Sequence, residues 1–140
     1  MKGSYVLLIR LPEEQTITIG SLGTFFFPVG YYAYVGSAMG GVQSRLNHHR
    51  QENRKPRWHI DYLLQKASIT DVLVCETRDR AECTIAQALS HQFDPIHSFG
   101  SSDCKCPSHL FFASEKSQLK STIKETLSQL NMQSRLARQI

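Results

Sequence analysis

The stretch Gly30-Tyr31-Tyr32-Ala33-Tyr34-Val35-Gly36-Ser37-Ala38 decides how the rest of the chain is read. From Tyr31 to Val35 the residues are mostly aromatic or β-branched, which favours a central strand, and a glycine stands on either side. Alternation sends Tyr32 and Tyr34 to one face and Tyr31, Ala33 and Val35 to the other, so one face can be core while the other carries phenols. Beyond Gly36, Ser37-Ala38-Met39-Gly40-Gly41 combines small side chains with accessible amides ahead of a predicted helix. That setting admits close approach of a phosphate at Ser37 and Gly40. A buried strand closed by a tight turn would look the same.

Working outward, Ser4 to Arg10 reads as a largely buried strand closed by Leu11-Pro12. Gln15 to Gly20 alternates polar and apolar residues, and Ser21-Leu22-Gly23 turns it into Thr24 to Pro28, an accessory hairpin. Downstream, the spacing predicts a helix over Val42 to Gln51 and a second one from Arg57 to Leu64, after Pro56. Asp71 to Glu76 is the third strand of the main sheet. Asp79 and Glu82 have capping-box spacing at the head of another helix, whose stripe is Glu82, Ile85, Ala86 and Leu89. From Glu115 onward, Leu119, Ile123, Leu127 and Leu130 form the stripe of a long amphipathic helix, with Ser114 as a possible cap. The expected architecture is α/β (α+β): a small central antiparallel three-stranded sheet flanked by helices, with the hairpin and a C-terminal helix. Residues 1–113 would form the domain, and 114–140 a helix packed on it or on a partner chain.

A chain of 140 residues with 41% hydrophobic content is long enough for one real core and too apolar for a disordered segment. The apolar run Tyr5 to Ile9 is too short for a signal peptide or a membrane span, so a reducing cytoplasm and no membrane partner are expected. Disulfides among Cys75, Cys83, Cys104 and Cys106 are then not the default. The formal net charge is +4, and position matters more than the total. Between Arg45 and His59, five cationic residues (Arg45, Arg50, Arg54, Lys55, Arg57) face a single Glu52. That cluster suits a phosphate backbone and equally suits a solvated loop. Cys104, Cys106 and His109 leave two readings open: a zinc site short of its fourth ligand, and a hydrogen-bonded loop, which is preferred.

Taken together and in order, these residues resemble the GIY-YIG nuclease superfamily, and more closely its Uri-type branch. The resemblance runs over roughly residues 3 to 112. Gly3-Ser4-Tyr5 stands for the first tripeptide and Tyr34-Val35-Gly36 for the second. Arg45 and His49 fit the helix-borne arginine and histidine, and His59 fits the next histidine. Glu82 fits the carboxylate that members use to hold a divalent metal. The loop from Phe99 to Leu110 looks like a feature of the branch. The accessory hairpin separates the two tripeptides by more than is usual in the superfamily.

The resemblance implies phosphodiester hydrolysis in DNA, with RNA also open as a substrate, and the chemistry explains the residue types. In-line attack by water builds negative charge on phosphate oxygens and on the leaving oxygen. Arg45 can neutralise the phosphate with its fork of donors, and a weakly bound Mg²⁺ or Mn²⁺ on Glu82 can stabilise the leaving oxygen. Tyr5, assisted by His49, is the expected proton acceptor, while Tyr34 positions the phosphate. Structured or damaged DNA is a candidate substrate, contacted by Ser37, Gly40, Arg50, Arg54, Lys55 and Arg57. The alternative is a nucleic-acid-binding module that keeps the scaffold without turnover. Oligomeric state stays open, with a homodimer allowed.

Overall fold

The N-terminal strand becomes the middle of the sheet because both of its faces are apolar and both are covered. The computed structural model describes residues 3–38, 47, 49, 58–76, 81–100, 106–132 and 134–136. Its strands are β1 (Gly3–Leu11), β2 (Gln15–Ile19), β3 (Gly23–Phe27), β4 (Gly30–Ala38), β5 (Ser68–Glu76), β6 (Asp94–Pro95), β7 (Leu110–Ala113) and β8 (Ser134–Leu136). The described helices are α1 (His59–Leu64), α2 (Glu82–Ser90) and α3 (Lys116–Gln129).

Among the described residues the main sheet has six strands in the order β6-β7-β4-β1-β5-β8, paired antiparallel throughout. This corrects the expected three-stranded sheet. β1, β4 and β5 form only its centre, and β6, β7 and β8 extend it on both sides. β6 is two residues long and β8 three, too short for an alternating pattern to register in the sequence. The hairpin β2-β3 forms a separate two-stranded sheet.

Alternation along the strands builds two cores. Tyr5, Leu7 and Ile9 of β1 pack with Tyr32 and Tyr34 of β4, Val72 and Val74 of β5, and Ile60 and Leu63 of α1. The hairpin covers the same face through Ile19 and Phe27. On the opposite face Val6, Leu8, Ala33, Val35, Leu73 and Cys75 meet Ile85, Ala86 and Leu89 of α2 and Leu119, Ile123 and Leu127 of α3. The C-terminal helix therefore packs on its own sheet, and the chain beyond it returns to pair with β5. Tyr32, despite its place in the aromatic strand, is fully buried and donates its hydroxyl to the Pro28 carbonyl oxygen, and burial raises its pKa. It is a core residue.

Asp71 of β5 fastens α3 to the sheet. Its carboxylate lies 2.9 Å from Lys116 Nζ and 3.4 Å from Lys120 Nζ, and it accepts the Thr70 hydroxyl at 3.1 Å. Burial pushes its pKa up, but the lysines and Thr70 outweigh that and hold it below the ordinary value of 3.8. Because the folded pKa is depressed, this contribution is present above the unfolded pKa and is lost as pH falls through the folded one. We expect the thermal midpoint of the wild type to drop more steeply below about pH 4 than that of Asp71→Asn. Equal acid slopes for the two proteins would rule the contribution out.

Candidate active site and thiol cluster

Strand register gathers the candidate residues at one end of the sheet. Gly3 of β1 pairs with both Ala38 of β4 and Glu76 of β5, so the start of β1 and the ends of β4 and β5 lie together. Tyr5 faces Gly36 across the β1-β4 pair, and Leu7 faces Tyr34. The two tyrosines are thus one pleat apart on the same face. The hairpin that separates them in sequence leaves the strand pairing intact.

His49 completes the group. The Tyr5 hydroxyl oxygen and His49 Nε2 are 2.7 Å apart, in a buried contact. The His49 ring lies 6.4 Å from the ring of Tyr34 and 5.8 Å from that of Trp58. On the imidazole's other side, Asp61 Oδ1 is 3.7 Å from Nδ1. A carboxylate there favours the tautomer with its proton on Nδ1, leaving Nε2 to accept from Tyr5. Asp61 is itself held by α1, whose first turn it caps by accepting the Trp58 N–H at 2.9 Å. Neither Asp61 nor Trp58 is a candidate from the sequence. A carboxylate three residues into a helix reads as an ordinary cap, and nothing local says that it faces a histidine twelve positions earlier.

Gly36 is required by this packing. An ideal Cβ at that position would lie 2.5 Å from the Tyr5 hydroxyl oxygen and closer still to the ring carbon that bears it. The glycine leaves room for the Tyr5 ring against β4.

His59 lies one layer out. Its Nδ1 accepts the Gly100 N–H at 3.1 Å, and its ring stands edge-on to Phe99 at 5.8 Å. Gly100 has φ of +70° and packs against Tyr34, so His59 is linked to that tyrosine through the loop it anchors. Ser37 pairs with Ser4, and its hydroxyl oxygen is buried. Arg45, Gly40, Arg50, Arg54, Lys55, Arg57 and Cys104 lie outside the described residues, as does most of the helix expected over 42–51, from which Asn47 and His49 are described.

Glu82 opens α2 with Ala81 at the cap position. It therefore occupies the first helical position and not the third that a capping box with Asp79 requires. The helix N-terminus favours its negative charge. One carboxylate can hold Mg²⁺ or Mn²⁺ if water and phosphate oxygens supply the other positions, which is a fit for a weakly bound ion.

A different donor set stands beside it. Cys83, Cys106 and His109 each offer a ligand atom, and the three atoms lie within 4.8 Å of one another. Cys106 and His109 are the residues the sequence brings forward. Cys83 is not, because it lies far from them along the chain and inside a helical pattern. Burial lowers the His109 pKa and so favours the neutral imidazole. Cys75 behaves differently: it is fully buried in β5, where burial pushes its thiol up to about 11.

These features define an antiparallel α+β domain with a buried tyrosine–histidine–aspartate group at one sheet end and a thiol–imidazole cluster at the head of α2. The chain belongs to the family described as Domain of unknown function DUF123, whose model matches residues 4–132. Neither the curated proteins nor the solved structures contain a match to it. No described helix is long and apolar enough to cross a membrane.

Proposed function

We propose that this chain is a divalent-metal-dependent endonuclease that nicks DNA, built on the scaffold of the GIY-YIG nucleases and within their Uri-type branch. The observation that carries the reading is the 2.7 Å contact between Tyr5 and His49 with Tyr34 alongside, since residues far apart in sequence meet in the combination that hydrolysis needs. A free phenol has a pKa of about 10 and is a poor proton acceptor at neutral pH. An imidazole on its oxygen, with the Asp61 carboxylate 3.7 Å from its other nitrogen, provides a path for the proton as water attacks. Tyr34 would position the phosphate, and Arg45 would neutralise it through parallel N–H donors. Glu82 would hold Mg²⁺ or Mn²⁺, which when bound supplies stabilisation of the leaving oxygen.

Complete burial of Tyr5 favours a second reading, a nucleic-acid-binding scaffold without turnover. For catalysis the substrate must displace whatever covers the phenol, so turnover would require a change of structure on binding. The experiment that tests the proposal is cleavage of labelled supercoiled plasmid, duplex, single strand, flap and junction with Mg²⁺ or Mn²⁺, beside Glu82→Ala. We expect metal-dependent nicking that falls by about 10²-fold or more in the variant. Salt-sensitive binding without any cutting by the wild type would replace the nuclease with the binding module.

A further inference from the structure

We infer that Cys83, Cys106 and His109 bind a zinc ion that ties the first turn of α2 to the chain entering β7. Around a tetrahedral zinc, with bonds of about 2.3 Å to sulfur and 2.0–2.1 Å to nitrogen, neighbouring ligand atoms sit roughly 3.5–3.8 Å apart. The three atoms here are already within 4.8 Å of one another, so side-chain movements of about 1 Å close the site. Two sulfurs and an imidazole form a soft donor set, which selects zinc over the hard magnesium ion proposed for Glu82.

The backbone prepares each ligand. Cys83 is the second residue of α2, so the first turn of that helix fixes where its side chain starts. Cys106 Sγ lies 3.9 Å from the Cys83 carbonyl oxygen, so the two segments are in contact before any ion enters. His109 is pinned on both sides: its N–H donates to Phe99 at 2.8 Å, and its carbonyl accepts the Val35 N–H at 2.9 Å. Cys106 and His109 are only 6% and 4% exposed, which keeps competing water away. Apolar packing accounts for a buried thiol such as Cys75, but it does not call for two thiols converging on a buried imidazole. A tetrahedral ion has one further position, which a water molecule can fill.

The role is structural. The ion would fix the helix start that carries Glu82 against the strand end that carries Val35 and Gly36, whether or not the protein cuts DNA. Binding displaces the two thiol protons, so affinity falls as pH is lowered.

The test uses the full chain purified under reducing conditions without chelator. Elemental analysis is expected to find about one zinc per chain. After chelation, Co²⁺ added to the metal-free protein should give thiolate-to-cobalt charge-transfer bands and the intense visible absorption of a tetrahedral site. Cys83→Ser and Cys106→Ser should each lose those bands and weaken zinc binding by about 10²-fold or more, while Cys75→Ser keeps both. Substoichiometric zinc, with Co²⁺ binding to the wild type without thiolate bands, overturns the proposal even if every variant fails to fold. Full zinc retention in both Cys83→Ser and Cys106→Ser overturns it as well. DNA cleavage is not a readout, so an inactive protein that holds zinc rejects the nuclease alone.

Discussion

Tyr5→Phe is expected to lower the cleavage rate by about 10³-fold, in the middle of the range for a lost general acid or base, while DNA binding stays near the wild-type level. The substitution removes one oxygen atom and leaves the ring across Gly36, so the packing of β1 on β4 is kept. What disappears is the 2.7 Å contact to His49 Nε2. The imidazole then has a buried nitrogen that has lost its partner, at a cost of about 1–3 kcal/mol in stability. The informative quantity is the single-turnover rate with saturating DNA and metal, because it separates the chemical step from binding. A Tyr5→Phe protein that cuts at the wild-type rate would remove Tyr5 from the mechanism. One that is merely less stable, with its rate intact at low temperature, would reassign the contact to the core.

The second large effect is expected at Gly36, a position that never touches substrate in the proposed mechanism. Gly36→Ala places a methyl group on the Tyr5 ring, so the ring or strand β4 must move. Tyr5 is fully buried and cannot swing out to solvent. Overpacking of this kind costs about 1–3 kcal/mol, read from the urea midpoint. A displacement of about 1 Å at the hydroxyl is also enough to cost about 10²-fold in rate. The two effects can be separated in a double-mutant cycle with Tyr5→Leu, which shortens the side chain beneath the new methyl. Stability losses should then be clearly less than additive. Strict additivity would show that Gly36 matters for the backbone of β4 and not for room beneath the ring.

The strands at the centre of the sheet were legible because each carries a strong pattern of its own: aromatic alternation in β4, the apolar run of β1, and Asp71 to Glu76 in β5. The same holds for α3, whose Leu119, Ile123 and Leu127 repeat at helical spacing. The width of the sheet was not legible. A two-residue strand such as Asp94-Pro95 is defined by its partner Phe111-Phe112 and has no signature without it. The start of α2 was also misread. Asp79 and Glu82 have capping-box spacing, yet the helix begins at Glu82 itself, which changes that residue from a cap into the first carboxylate of the helix.

By itself the sequence determined the residue types and the faces they occupy. The face of Tyr34 follows from alternation on β4, Tyr5 is singled out by the resemblance of Gly3-Ser4-Tyr5 to the first tripeptide, and the family match extends over residues 4–132. Tertiary structure alone decided which of those groups touch. Asp61 turns from a helix cap into a neighbour of His49, and His59 attaches to Gly100. Cys83 joins Cys106 and His109 only once α2 is laid on the sheet. The physical reason is that periodicity is a local property, set by backbone geometry over a few residues. Distances between elements come from strand register and from how helices pack on the sheet, and no short window of sequence contains either.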